Sequence, residues 1–207
     1  MEIKRLVLGM VRTNCYIAYT KDSKKAVIID PAADSRRIVD EIAALGVTPE
    51  AVLLTHGHFD HMLAADSLRS TYHIPVCVTE EDAELLKQPE LNCSQQFLHM
   101  PYGISADNTL TDKQKLTFLD EKFTVITTPG HTAGSCCYYA EKEGILFSGD
   151  TLFQGSVGRT DLPTGRAAQL SDSIREKLFI LPEDTLVLSG HGDQTTIGEE
   201  KQYNPYV

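Results

Sequence analysis

The segment Thr55-His56-Gly57-His58-Phe59-Asp60-His61 carries four metal-ligating side chains within six residues. Imidazole nitrogen and carboxylate oxygen bind zinc at ~2.0–2.2 Å, and both also suit iron and manganese. The segment directly follows Ala51-Val-Leu-Leu-Thr55, a short apolar run that reads as a buried strand, so the four groups sit on a strand-to-helix loop. In an extended stretch His56 and His58 point the same way, while Asp60 and His61 can turn toward a second point. Three more candidates follow. His131 stands in Thr128-Pro-Gly-His-Thr, Asp150 in Phe147-Ser-Gly-Asp-Thr and His191 in Ser189-Gly-His-Gly, each after a strand and a glycine that leaves room for close backbone approach. Of the seven histidines, five belong to this set; His73 and His99 do not. A packed core gains nothing from such a cluster. Five histidines and two aspartates are too many for one ion and suit two, with a carboxylate bridging metals ~3.5–4 Å apart.

The elements that must position these groups follow from the pattern of residue types. Asn14–Thr20 and Ala26–Asp30 are rich in strand formers, with Lys21-Asp-Ser-Lys24 as the turn between them. Asp34 or Ser35 caps a helix with Ile38, Ile42 and Leu45 on one face and Gly46 as its stop. A helix is expected from about His61 to Ser70, then a strand at Pro75–Val78, then a short acidic helix begun by Thr79-Glu-Glu-Asp82. From about Lys87 to Lys115 the pattern breaks, with Pro89, Pro101 and Gly103, into a long loop or irregular insertion of a kind that is often functional. Within it the stretch from Gln95 to Gly103, with Phe97 and Tyr102, is a candidate cover for the mouth of the site. Strands resume at Phe123–Thr128, Ser135–Ala140 and Ile145–Ser148; Leu170, Ile174 and Leu178 mark an amphipathic helix, and Thr185–Ser189 a last strand. A strand-rich chain with helices interspersed suggests two sheets sandwiched between helices, in a single domain over residues 1–207.

Composition removes whole classes of function. Nineteen basic residues against 29 acidic ones give a net charge of -10, with no basic stripe, so neither nucleic acid nor an anionic membrane is an expected partner. No apolar run approaches the roughly 20 residues of a spanning helix. Leu6–Val11, after Lys4 and Arg5, is too short for a secretory core. The five cysteines are odd in number and contain no CxxC pair, which fits neither a disulfide framework nor a structural zinc site. Adjacent Cys136 and Cys137 point to opposite faces of a strand and are expected to pack as small hydrophobes. A cytoplasmic protein is expected.

The motif H-x-H-x-D-H followed by a distant His, Asp and His resembles that of the metallo-β-lactamase superfamily, and the likeness covers nearly the whole chain. The resemblance implies an α/β fold, an αββα sandwich of two mixed β-sheets flanked by helices, with the site at one edge of the sheets. It implies that His56, His58 and His131 hold a first metal, that Asp60, His61 and His191 hold a second, and that Asp150 bridges them. Two divalent ions are expected, zinc before iron or manganese. Asp30, ending its strand in Ile-Ile-Asp-Pro, falls where the family keeps an acidic residue beside the metal loop and is read as an orienter of a ligand.

Within the superfamily the chain is most similar to the glyoxalase II-like group, the hydroxyacylglutathione hydrolases. Thr13-Asn-Cys-Tyr-Ile, Gly149-Asp-Thr-Leu-Phe, Gly158-Arg-Thr-Asp and Gly190-His-Gly-Asp-Gln-Thr-Thr-Ile-Gly-Glu-Glu carry that likeness. It implies a metal-held hydroxide attacking the carbonyl of a small-molecule thioester, such as the glutathione conjugate S-D-lactoylglutathione. Asp60 would orient the hydroxide and accept its proton, and is the candidate catalytic carboxylate besides its ligand role. Arg159 stands near the position of a basic residue that those enzymes use toward glutathione; it is the candidate substrate-binding residue, with an ion pair to an acidic neighbour as the competing role. Full-length glyoxalase II enzymes carry a further C-terminal helical domain that supplies much of the glutathione site, whereas this chain ends at Val207. Zinc β-lactamases usually lack a histidine at the position of His61, and many have a cysteine at that of Asp150, so antibiotic hydrolysis is not expected. The runner-up is an oxidoreductase, a persulfide dioxygenase with one iron on His56, His131 and Asp150, where open positions suit oxygen chemistry. A lactone or ester hydrolase with the same site is a third reading.

Overall fold

The computed structural model describes all residues 1–207. β1 (Glu2–Leu8), β2 (Thr13–Tyr19), β3 (Lys25–Ile29), β4 (Thr48–Leu53), β5 (Val76–Thr79) and β6 (Asn108–Leu110) lie side by side in that order. The first three pair antiparallel, and β3 to β6 run parallel. Parallel neighbours need crossovers, which α1 (Ser35–Leu45), α2 (Phe59–Met62), α3 (Ala65–Tyr72) and α4 (Ser94–Leu98) help to supply. The second sheet contains β7 (Lys115–Phe118), β8 (Glu121–Thr127), β9 (Cys136–Ala140) and β10 (Ile145–Gly149), antiparallel throughout. After a two-stranded hairpin of β11 (Leu152–Phe153) and β12 (Ser156–Val157) and helix α5 (Ala167–Ser173), β13 (Leu186–Ser189) joins β10 in parallel. β14 (Thr195–Thr196) closes that edge, and α6 (Ile197–Tyr203) follows.

Strand alternation sorts the apolar residues into three cores. Ala26 and Ile28 of β3 pack with Ile38 and Ile42 of α1 and Leu68 of α3, while Val27 and Ile29 face the other sheet. Cys136, Tyr138 and Ala140 of β9 lie between the sheets, and Cys137 and Tyr139 pack outward with Leu170, Ile174 and Leu178. The order of layers is therefore helix, sheet, sheet, helix. Cys136 and Cys137 are buried free thiols on opposite faces, as strand periodicity requires.

Asp34 caps α1 through Arg37 N–H, and Gly46 ends it at φ 67°. The helix expected from His61 to Ser70 is instead two pieces, because Ala64 N–H bonds Pro31 O at 2.9 Å rather than its own helix. Residues Glu80 to Glu84 form turns and not a helix beginning at Thr79, since the Asp82 side chain is drawn inward (see below). The irregular stretch from Lys87 to Lys115 holds α4 and the short strand β6, whose Asn108-Thr109 carries no apolar signal. Helix α6, capped by Thr196 Oγ accepting from Glu199 N–H at 3.2 Å, is an addition to the sequence reading.

Candidate metal centre

Strand ends and loops of both sheets converge on one point. The loop after β4 brings His56 and His58, and α2 directly after it brings Asp60 and His61; the loop after β8 brings His131; the end of β10 brings Asp150, and that of β13 brings His191. Three ligand groups result: His56 with His58 and His131, His56 with His61 and Asp150, and Asp60 with His61 and His191, the ligating atoms of each within 4.8 Å. Asp150 lies between the groups, with Oδ1 3.4 Å from His61 Nε2 and Oδ2 3.6 Å from His131 Nε2 and 3.5 Å from His191 Nε2. Asp60 Oδ2 stands 3.5 Å from His61 Nε2 and 3.4 Å from His191 Nε2. All seven expected ligands thus meet at one place, and His73 and His99 lie elsewhere. Close approach is built into the backbone here: a Cβ on Gly190 would overlap Asp150 Oδ1 and crowd His61.

Three of the imidazoles are oriented from behind. Asp30 accepts from Thr55 N–H at 2.8 Å and Thr55 Oγ–H at 2.7 Å, so Thr55 Oγ is left to accept from His56 Nδ1 at 3.1 Å. Asp30 Oδ2 also accepts from His61 Nδ1 at 2.9 Å, and the Arg159 carbonyl accepts from His131 Nδ1 at 2.6 Å. Because Nδ1 donates backward, Nε2 of each ring is the atom turned toward the cluster. Nε2 of His56, His58 and His61 and Oδ1 of Asp150 are buried without any hydrogen-bond partner. Buried polar atoms are ordinarily satisfied; the orphans of His56, His61 and Asp150 fall in one ligand group, His58 meets His131 Nε2 through Nδ1 at 2.9 Å, and such nitrogen and carboxylate donors fit divalent cations. The residues present therefore fit a metal centre.

The two sides of the cluster differ electrically. Burial pushes His56 down and His58 down to about 3, so both are neutral and have no proton to lose to a metal. Burial also opposes charge on His61 and His191, yet the surrounding carboxylates outweigh it. Asp60, Asp30 and Asp150 hold His61 up at about 9, and Asp150 with Asp60 holds His191 at about 11. Conversely, burial resists ionisation of Asp60, but His61 and His191 bring it down to about 2.

A cavity of about 140 Å³ opens onto this cluster, walled by Val11, Phe59, Cys93, Phe97 and Leu162. Phe97 stacks on Phe59 with ring centres 5.8 Å apart. The expected cover is half realised: Phe97 lines the mouth, but Tyr102 turns away to donate to the Leu63 carbonyl at 3.3 Å. Arg159 stands at the rim, but Asp161 holds its guanidinium at 2.7 and 2.8 Å. The competing ion pair is thus present, and it is the main chain of Arg159 that touches a ligand. Sequence reasoning missed Thr13, whose Oγ donates to Asp60 Oδ2 at 2.9 Å, and Thr55; both were visible only as neighbours of motif residues.

Comparison with known proteins agrees with this geometry. A family model described as the metallo-beta-lactamase superfamily matches residues 8–191. The hydroxyacylglutathione hydrolase GloC of Haemophilus influenzae is 34% identical over 209 residues, covering 100% of this chain and 98% of GloC. Among solved structures, the BLEG-1 B3 metallo-beta-lactamase is 44% identical with a TM-score of 0.95 and 99% of each chain covered. TTHA1623, solved in a di-iron-bound form, is 33% identical with a TM-score of 0.88, covering 99% of this chain and 100% of the other. No helix is long and apolar enough to cross a membrane. With its ligand loops, its two mixed sheets and a family match over most of its length, the chain belongs to the metallo-beta-lactamase superfamily.

Proposed function

We propose that this metallo-hydrolase cleaves a small-molecule thioester of the S-D-lactoylglutathione type at a centre of two divalent ions, zinc before iron or manganese. The observation that carries the reading is the set of buried, unpartnered ligand atoms on His56, His61 and Asp150, beside a cavity of about 140 Å³. Bound divalent ions would supply Lewis acidity and lower the pKa of water, which provides a nucleophile at neutral pH. The chain's own groups do the rest. Asp60, held by Thr13 and ionised at neutral pH, accepts a hydrogen bond from the attacking water and fixes its direction. At a pKa of about 2 it orients the water far better than it stores the proton. Phe59, Phe97, Val11 and Leu162 hold the acyl group and exclude bulk water. The cavity's size favours a short acyl group, and the thioester class rests on the full-length likeness to GloC. Arg159 is kept as a substrate contact only if Asp161 releases it. A cytoplasmic small-molecule enzyme with neither nucleic-acid nor membrane partner is part of the same proposal.

Hydrolysis of a β-lactam is the second reading, favoured by the 44% identity to BLEG-1. Steady-state assay of the zinc- and iron-reconstituted protein on S-D-lactoylglutathione and a chromogenic cephalosporin separates the two. Saturable thioester hydrolysis with a micromolar-range KM is expected. Turnover of the cephalosporin alone would reverse the assignment. Oxygen uptake with glutathione persulfide, and no hydrolysis of either compound, would replace it with the dioxygenase on His56, His131 and Asp150.

A further inference from the structure

The turn between β5 and α4 presses on the back of the metal loops, and it holds a carboxylate that the centre described above does not use. Asp82 is 0% exposed and does not line the cavity. Its side-chain partners are all uncharged donors: Gly57 N–H at 2.9 Å, Thr132 Oγ–H at 2.7 Å and Gly134 N–H at 2.8 Å. Gly57 lies between His56 and His58, and Thr132 directly follows His131. One carboxylate therefore ties together the two loops that carry His56, His58 and His131. The approach is tight enough that a Cβ on Gly134 would collide with Asp82 Oδ1 and its backbone nitrogen.

Packing alone does not account for a carboxylate here. Burial pushes its carboxyl up, against the pull of the three hydrogen bonds, and no lysine or arginine compensates it. What an ionised carboxylate supplies is two acceptor oxygens and no donor, which matches three donors arriving from two loops. An amide would turn its NH2 against at least one of them. We infer that Asp82 is a positioning residue for the His56, His58 and His131 group. It fixes the separation of the two loops, and with it the 2.9 Å between His58 Nδ1 and His131 Nε2, while touching no ligand ring itself. Asp30 differs in that it contacts His61 directly. This role is independent of the substrate and stands if the thioester reading fails.

The test is cadmium NMR of the full chain, where each occupied group gives its own resonance, combined with competitive chelator titration and melting of the metal-free protein. Loss of one resonance in His131→Ala assigns the group. Asp82→Asn is expected to weaken cadmium at that group roughly 10- to 100-fold and to move its resonance, leaving the Asp60, His61 and His191 resonance in place. Asp82→Ala should weaken it further, because the amide keeps one acceptor oxygen. Thr132→Val, which removes one of three donors and leaves the carboxylate, should shift the same resonance by less, and it decides the matter if Asp82→Ala does not fold. Equal weakening of both groups, unchanged affinity with only a lower melting temperature, or no ion at the His131 group in the wild type would each overturn the inference.

Discussion

The two sides of the metal cluster are built on different principles. His56, His58 and His131 are 1%, 3% and 2% exposed; burial keeps His56 and His58 neutral, and His56 and His131 are tied to the protein by bonds that run away from the cavity. Asp60 and His191 keep side-chain exposures of 14% and 27%, and with His61 they form a network of opposite charges in the metal-free protein. The first side is shaped by desolvation and rear hydrogen bonds, so its geometry precedes any ion. The second is held by charge balance and faces the space where substrate arrives. Chemistry at the centre should therefore be most sensitive on the wetter side, and metal-site geometry on the drier one.

Asp60→Ala is the sharpest way to break this contrast. Thioester turnover should fall roughly 10²- to 10⁴-fold, the range of a positioned proton-handling group, in a protein whose other ligands remain. A near-normal rate with normal metal content would remove Asp60 from catalysis. His131→Ala on the dry side should cost bound metal first, and activity only through that loss, which metal analysis alongside kinetics resolves.

The contrast also sets the pH dependence of the metal-free protein. His58 falls from 6.5 to about 3 on folding, so the unfolded chain binds a proton that the native one refuses. Stability is therefore lost as pH drops below about 6.5, by up to about 5 kcal/mol. His61 and His191 have raised values, so their contribution is complete below about 6.5 and is lost as pH climbs through about 9 and then about 11. Denaturant melts across pH should show a maximum at about 6.5, with stability falling toward acid and again toward pH 9. Monotonic stability from acid to neutral to alkaline would contradict the assigned charges.

What the sequence showed and what it hid follow the same division. Ligands were legible because clustered histidines and aspartates at strand ends have no other common use, and strands such as Val27–Ile29 because strand formers stand together. Asp82 was not, since an aspartate after two glutamates reads as a helix start and its partners lie 25 to 52 residues away. Thr13 acts through one hydroxyl bond and Thr55 through its amide and hydroxyl, bonds that any threonine can make. β6 is only three residues with one buried position, too little for a pattern.

The smallest effect is expected at the rim. Arg159→Ala removes an exposed ion pair worth about 0–1 kcal/mol and leaves intact the backbone carbonyl that orients His131. KM for the thioester should change less than about threefold, because Asp161 already occupies the guanidinium. A large rise in KM, absent with an uncharged thioester, would show that Asp161 yields its partner to the substrate.

The most direct test of the central claim is the rate of S-D-lactoylglutathione hydrolysis as metal-free protein is titrated with zinc. If both sides of the cluster must be filled, the rate stays low through the first equivalent and rises across the second. Full activity at one equivalent, or none at two, would contradict a two-ion thioesterase.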